Sequence, residues 1–106
     1  MKRAFILITV FIFILAACTK EETGKDAVLR WTGDYEVDGC GFFIDLNGKT
    51  YKPDNEDKIS GEFKKNSPSA VVIDYRLPNK DIEYNCGDLP EKQKANAIEI
   101  ISIKKK

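Results

Sequence analysis

Histidine is absent from the 106-residue sequence, which removes the commonest general base and a frequent zinc ligand. Nucleophilic catalysis by serine, threonine or cysteine needs such a base beside the nucleophile. The acidic stretch at 54–57 lacks the spacing of a calcium loop, and no glycine-rich phosphate loop occurs. We therefore predict a non-enzymatic protein without a metal site. A pair of carboxylates of the glycosidase type is the enzymatic alternative that the sequence leaves open.

An excess of either charge is also absent, because the chain has 17 basic and 17 acidic residues. Proteins that bind nucleic acids carry a basic patch or stripe, which this balance does not indicate. We therefore expect no nucleic-acid partner.

No apolar run reaches the roughly 20 residues that a membrane-spanning helix needs. The run over 4–17 follows Lys2 and Arg3 and ends in small residues, which indicates a secretory signal peptide. Its ending, Leu15-Ala16-Ala17-Cys18, resembles the lipobox of bacterial lipoproteins. The resemblance implies a diacylglycerol on the Cys18 thiol, cleavage just before this residue, and a fatty acyl chain such as palmitate on the new amino group. The alternative is a short membrane anchor that stays attached.

This resemblance divides the chain into a signal peptide at 1–17, forming a helix, a flexible tether at 18–27 and a domain at 28–106. Cleavage removes Lys2 and Arg3 and leaves 15 basic against 17 acidic residues, a net charge of −2. Lys20-Glu21-Glu22 resembles a short signal that routes some lipoproteins to the outer face of the outer membrane. We expect a lipid anchor in the outer membrane, on the cell surface or in the inner leaflet. An ordinary solvated tether also explains these three residues.

Two cysteines, Cys40 and Cys86, remain after the lipidated one is set aside. A lipoprotein domain folds outside the cytoplasm, where disulfides persist, so we predict that these thiols pair. The alternatives are weaker, because two thiolates form an incomplete zinc site and redox pairs are usually closer in sequence.

Period-two alternation of apolar residues predicts β-strands through most of the domain. The predicted strands cover 29–37, 42–46, 49–53, 71–77 and 97–103. Asn47-Gly48 is typical of a type I′ turn and pairs Ile44 with Tyr51. In the last strand, Ile98 and Ile100 share one face while Ile101 and Ile103 share the other, which indicates a bulge or burial on both faces.

The connections between these strands complete the predicted order of elements. Ile59 and Phe63, four residues apart, favour one or two helical turns between the third and fourth strands. Residues 78–96 are predicted to form a long loop. This order matches the OB-fold, a small five-stranded Greek-key barrel that is partly open. We therefore predict a mainly β fold, a small OB-like barrel with a short helical segment, and a β-sandwich is the alternative.

In an OB-fold, the loops after the first and fourth strands flank the ligand-binding face. Cys40 falls in the first of these loops and Cys86 in the second. The stretches Asp38-Gly39-Cys40-Gly41-Phe42 and Tyr84-Asn85-Cys86-Gly87 also resemble a group of small, uncharacterised bacterial lipoproteins with a barrel-like domain. That resemblance implies a fold and a location but no activity.

Phe43 and Tyr84 are the candidate ligand-contacting residues, because each lies beside these loops and exposes an aromatic ring to a sugar or another planar ligand. The alternative is that Phe43 packs under a loop and Tyr84 covers the disulfide. We predict a monomeric binding or structural protein with an unidentified protein or saccharide ligand and no cofactor beyond its acyl chains. The alternatives are an inhibitor of an envelope-attacking enzyme and an accessory subunit of an outer-membrane complex.

Overall fold

A computed structural model of the chain describes residues 20–87 and 90–106. The strands in these ranges are β1 (Glu21–Trp31), β2 (Phe42–Leu46), β3 (Lys49–Pro53), β4 (Ser69–Arg76), β5 (Asp81–Tyr84) and β6 (Gln93–Lys105). Three single turns of 3-10 helix lie at Tyr35–Val37, Glu56–Lys58 and Gly61–Lys64. Within the described ranges, no helix is long and apolar enough to cross a membrane.

Five of the strands close into a barrel. The sheet order is β3-β2-β1-β4-β6-β5, and a parallel pairing between β3 and β6 joins the two sides. The other neighbours are antiparallel, and β5 lies outside the ring as a partner of β6. The predicted fold class is therefore confirmed: a small, mainly β, OB-like barrel with a short helical segment between the third and fourth barrel strands.

The β2–β3 hairpin has the predicted register. Asn47 and Gly48 adopt φ values of 53° and 76°, the left-handed region that a type I′ turn requires at both positions. Ile44 consequently pairs with Tyr51, and Leu46 pairs with Lys49. The two-residue turn thus aligns the inward-facing side chains of both strands.

The barrel interior is filled by aliphatic side chains from alternate strand positions. Leu29, Ile44, Val71, Ile73 and Ile98 are each no more than 1% exposed. Burying each such side chain is worth about 1.5–3 kcal/mol relative to leaving it in water. Ile59 joins this core, and Phe63 packs against it, as their spacing predicts. Both lie in the stretch that carries the last two 3-10 turns, residues 56–64, which we call the 3-10 segment.

Of the two interpretations of the last strand, a bulge or burial on both faces, the structure confirms the bulge. Tyr75 of β4 pairs with Ile100, and its neighbour Asp74 pairs with Ser102, so Ile101 is the extra residue. The insertion moves Ile100 to the core face and leaves Ile101 half-buried.

The boundaries predicted for the tether and the domain are wrong. β1 already begins at Glu21, so residues 21–27 of the predicted 18–27 tether belong to the barrel. They pair with β4 through contacts such as Glu21 with Arg76 and Ala27 with Val71. Most of their side chains face solvent, so their polar composition conceals a strand. The signal peptide at 1–17 and Cys18 lie outside the described residues.

Two further strand boundaries differ from those predicted. β1 ends at Trp31 instead of continuing to Val37, because Gly33 at φ 115° turns the chain into the next loop. Residues 78–96 are not one long loop, since β5 and the start of β6 form a hairpin that pairs Ile82 with Ala95. In β5 only the alternate residues Ile82 and Tyr84 are half-buried. Their period-two alternation spans too few residues to indicate a strand from the sequence.

Candidate functional site

The predicted disulfide between Cys40 and Cys86 is confirmed. It joins the loop between β1 and β2, residues 32–41, to the segment that follows β5, with 4.7 Å between the two Cα atoms. Backbone hydrogen bonds close the base of the first loop, because Thr32 N donates to Gly41 O and Gly41 N donates to Gly33 O. The disulfide and these bonds restrict the conformations open to the loop.

The structure brings together the two predicted aromatic residues. The ring centroids of Phe43 and Tyr84 are 5.8 Å apart, with an angle of 72° between the ring planes. Both side chains are half-buried. This edge-to-face contact attaches the β5–β6 hairpin to the outer face of β2. Their role as a ligand-binding face remains a prediction.

Lys52, which the sequence analysis did not single out, fills the space between these elements. It lies on β3 and points away from the barrel core, yet only 1% of the residue is exposed. Its Nζ atom is 4.6 Å from the centroid of the Phe43 ring and 5.2 Å from that of Tyr84. The hairpin therefore covers the part of the β2–β3 face that OB-folds commonly offer to ligands.

The buried ammonium group of Lys52 has an acceptor for each of its three donors. Nζ donates to the carbonyl oxygens of Cys40, at 2.5 Å, and Phe42, at 2.9 Å, and it lies 3.1 Å from Oε1 of Glu56. Burial lowers the pKa of Lys52, and the nearby Glu56 carboxylate opposes that change. Lys52 is thus a structural ion that fixes the start of β2 against β3.

Glu56 continues this network towards the first loop. Its two carboxylate oxygens accept hydrogen bonds of 2.6 Å from the Tyr35 hydroxyl and the Phe42 backbone N–H. Burial, reinforced by the hydrogen bond to Glu56, raises the pKa of Tyr35 far above its ordinary value. Gly41 lies among these groups, and a Cβ atom there would meet Glu56, Tyr35 and Lys52.

A groove of about 360 Å³ opens beside this network, between the first loop and the 3-10 segment; we call it the Trp31 groove. The residues that matter for its chemistry are Trp31, Asp34, Tyr35, Glu56, Asp57 and Lys64. The indole of Trp31 packs on Phe42 with ring centroids 4.7 Å apart. The Lys64 ammonium lies 4.5 Å from the Trp31 ring centroid and 3.8 Å from Oδ1 of Asp34.

A second groove of similar volume lies at the seam between β3 and β6. Asn96 is central to it, and with its amide oriented to suit its neighbours it donates to Asp81 at 2.8 Å and accepts from Lys49 at 2.6 Å. Because its polar groups satisfy one another, this groove offers fewer free contacts to a ligand than its size indicates.

No protein-family model, curated protein or solved structure matches this chain.

The charged side chains at the centre of the site are engaged by one another and by neighbouring donors. Within residues 20–87 and 90–106, no group of three or more acidic or cysteine side chains is arranged to hold a metal ion. Glu56, the carboxylate deepest in the Trp31 groove, has both oxygens engaged by donors. What the arrangement does provide is an aromatic surface with carboxylates at its edge, which suits binding.

The first loop carries a further feature that the sequence analysis missed. Val37, at the end of the 3-10 turn, is 74% exposed, the largest value among the large hydrophobic residues that the structure describes. The period-two alternation includes Val37 in the predicted strand over 29–37, whereas in the structure it ends a 3-10 turn. Asp38, which follows it in the left-handed region at φ 66°, ends that turn and directs the chain back.

Proposed function

We propose that this protein is a lipid-anchored, non-enzymatic binding protein of the bacterial cell envelope. The lipobox-like ending at Cys18 supports the anchor, and the Cys40–Cys86 disulfide is consistent with folding outside the cytoplasm. The Trp31 groove carries the proposal of binding, because an aromatic floor with carboxylates at its edge lies against a loop of restricted conformation. Because the loop is already ordered, binding a ligand there would cost little loop conformational entropy.

The early start of β1 relates this groove to the proposed anchor. Glu21 is three residues after Cys18, a distance of at most about 10 Å along the chain. β1 then runs for 11 residues, about 36 Å, and ends at Trp31. An acylated Cys18 would keep the first end of β1 close to the lipid, with the Trp31 groove at the far end of the strand.

The anchor is tested by metabolic labelling with radioactive palmitate in a Gram-negative host. We expect label in the wild-type protein and none in Cys18→Ser, with Cys40→Ser as the control that keeps the lipobox. Equal labelling of wild type and Cys18→Ser would refute the anchor. Protease treatment of intact cells then distinguishes surface display, which leaves the protein cleavable, from the inner leaflet, which protects it.

Val37 favours a second candidate, an inhibitor that inserts a rigid loop into an envelope-attacking enzyme. Inhibitors of this kind present an exposed side chain from a rigid loop. The Cys40 disulfide restrains the loop of Val37, and so does the close backbone packing of Gly39 on Gly33, which leaves no room for a Cβ atom at Gly39. We expect wild type to slow lysis of cell walls by a muramidase and Val37→Asp to lose this effect. Val28→Asp, on β1 and 38% exposed, is the matched control.

The accessory-subunit alternative receives less support from the surface. Such a subunit is expected to expose a broad apolar patch on a strand face. In the described part of the chain, Val28 and Val37 are the exposed large hydrophobic residues, and they lie on different elements.

A further inference from the structure

We infer that the Trp31 groove binds a cationic side chain, lysine or arginine, presented by a protein partner in the envelope. This inference rests on the proposed binding function and specifies the chemistry that the groove would recognise.

The groove already holds a cation of the chain itself. Lys64 places its ammonium 4.5 Å from the Trp31 ring centroid, within the range of a cation–π contact, and 3.8 Å from the Asp34 carboxylate. An indole face and a carboxylate around one ammonium are the two groups that a lysine or arginine of a partner would need. Lys64 therefore marks the position that the incoming side chain would take.

Lys64 is held weakly enough to be displaced. Its side chain is 43% exposed, and that of Asp34 is 64% exposed. An ion pair this open to water contributes little to stability, and the 3.8 Å between Lys64 Nζ and Asp34 Oδ1 is too long for a hydrogen bond. A partner that also contacts the walls of the groove would compete with it successfully.

The charges around the groove favour a cation over an anion. Glu56 is compensated by Lys52, which lies 3.1 Å from it. Asp34 and Asp57 then outnumber Lys64 among the remaining charged residues of the lining. Displacement of Lys64 into solvent leaves two carboxylates to receive the new charge.

The walls suit the rest of such a side chain. Phe42 and Ile59, which are 2% and 6% exposed, line the floor beside Trp31. Lysine and arginine bury their methylene stems against apolar surface while the charged end meets polar groups. The groove thus accommodates both parts of the side chain.

The sole tryptophan of the chain makes the test direct, because intrinsic indole fluorescence reports on the groove alone. We would titrate the full-length protein in detergent with the peptide acetyl-Gly-Arg-Gly-Arg-Gly-amide and with its counterpart in which glutamine replaces both arginines. We expect a saturable change with the arginine peptide and none with the glutamine peptide at tenfold higher concentration. Chitotriose, a neutral saccharide, is titrated in parallel.

Two substitutions with opposite effects separate recognition from general damage. Lys64→Ala is expected to tighten binding about threefold because the internal competitor is gone, whereas Asp34→Asn is expected to weaken it about threefold to tenfold. Asp26→Asn, which removes a carboxylate paired with Lys106 on the barrel side, is the matched control and should leave binding unchanged.

Equal responses to the two peptides, a response to chitotriose alone, or no effect of Lys64→Ala would each overturn the inference. Because the titration is made in solution, its failure is independent of palmitate labelling at Cys18. Absence of palmitate from the wild-type protein would refute the anchor and would leave the inference about the groove unaffected.

Discussion

The Nζ atom of Lys52 lies 3.1 Å from Oε1 of Glu56, under a hairpin that leaves 1% of the lysine side chain exposed. The two residues are unequal, because 24% of the Glu56 side chain still reaches solvent. Removing the Glu56 charge would leave the buried Lys52 ammonium without an ionic partner. Removing the ammonium would leave a Glu56 carboxylate that still accepts hydrogen bonds from two other donors. The pair therefore makes an asymmetric contribution to stability.

Glu56→Gln is expected to lower the free energy of unfolding by about 3 kcal/mol, since a buried charge that loses its partner is strongly destabilising. Lys52→Met should cost less, and the double variant should cost less than the sum of the two singles by at least about 1 kcal/mol. Urea unfolding measures all three. Asp34→Asn, in an exposed ion pair, is the control and should change stability by less than about 1 kcal/mol. Additive single and double effects would show that the pair is not coupled.

Replacing both Cys40 and Cys86 by serine is expected to reduce stability by roughly 4 kcal/mol in the chain-entropy model, because the disulfide closes a long loop. It should also loosen the β5–β6 hairpin over Lys52. Amine-reactive labelling followed by mass spectrometry should then show Lys52 reacting in the double variant while it stays unreactive in the wild type. Labelling of Lys52 at equal rates in both proteins would mean that the hairpin stays in place without the disulfide.

Local chemistry accounts for the parts of the fold that could be predicted. The Asn47-Gly48 turn, the pairing of Ile44 with Tyr51 and the bulge at Ile101 depend on neighbours in sequence and on one buried face. The disulfide was predicted because two thiols remain after Cys18 is set aside and because the lipobox-like ending leads us to expect folding outside the cytoplasm. Each of these needs no knowledge of distant contacts.

The elements that were missed depend on partners far along the chain. Residues 21–27 form a strand because β4 pairs with them, and their polar side chains give no signal of it. Lys52 is buried because a hairpin some 30 residues later covers it. A lysine in a strand ordinarily indicates a position whose side chain faces solvent. The Trp31 groove likewise joins residues from the first loop and the 3-10 segment, which no local pattern connects.

Gly41 is expected to be costly to replace, because both its backbone conformation and its surroundings oppose a side chain. It has φ 74°, and a Cβ atom there would lie within 2.9 Å of Lys52 Nζ and closer still to Glu56 and Tyr35. Gly41→Ala should therefore cost more than about 3 kcal/mol through strain and overpacking together. Gly48 has a similar φ of 76° but open space around it, so Gly48→Ala should cost only about 1–2 kcal/mol.

Gly61→Ala completes this series, because Gly61 has neither a positive φ nor a neighbour within 4 Å. Its substitution should be neutral or stabilise by up to about 1 kcal/mol. Thermal and urea unfolding of the three variants would rank them Gly41, Gly48 and Gly61 in order of decreasing cost. A Gly41→Ala protein as stable as Gly48→Ala would show that Lys52, Glu56 and Tyr35 can move away from the added Cβ atom at no cost in stability.

Tyr35 makes stability sensitive to alkaline pH. Burial first, and then the hydrogen bond to Glu56, raise its pKa in the folded protein far above the ordinary 10.0. In the unfolded chain the hydroxyl loses its proton above about pH 10, while the folded protein retains it. The unfolded state then binds fewer protons, so the free energy of unfolding falls as pH rises through this range. Lys52 acts in the opposite direction, because its lowered pKa favours folding as pH rises towards 10.5.

Comparison with Tyr35→Phe isolates the tyrosine from the lysine. Urea unfolding at several values between about pH 9 and pH 12 should show a steeper loss of stability in the wild type than in the variant. Burial also raises the pKa of Tyr75 and of Tyr84, so the ionisation of Tyr35 is followed as the difference in phenolate absorbance between the folded wild type and Tyr35→Phe. Parallel stability curves for the two proteins would mean that folding does not raise the pKa of Tyr35.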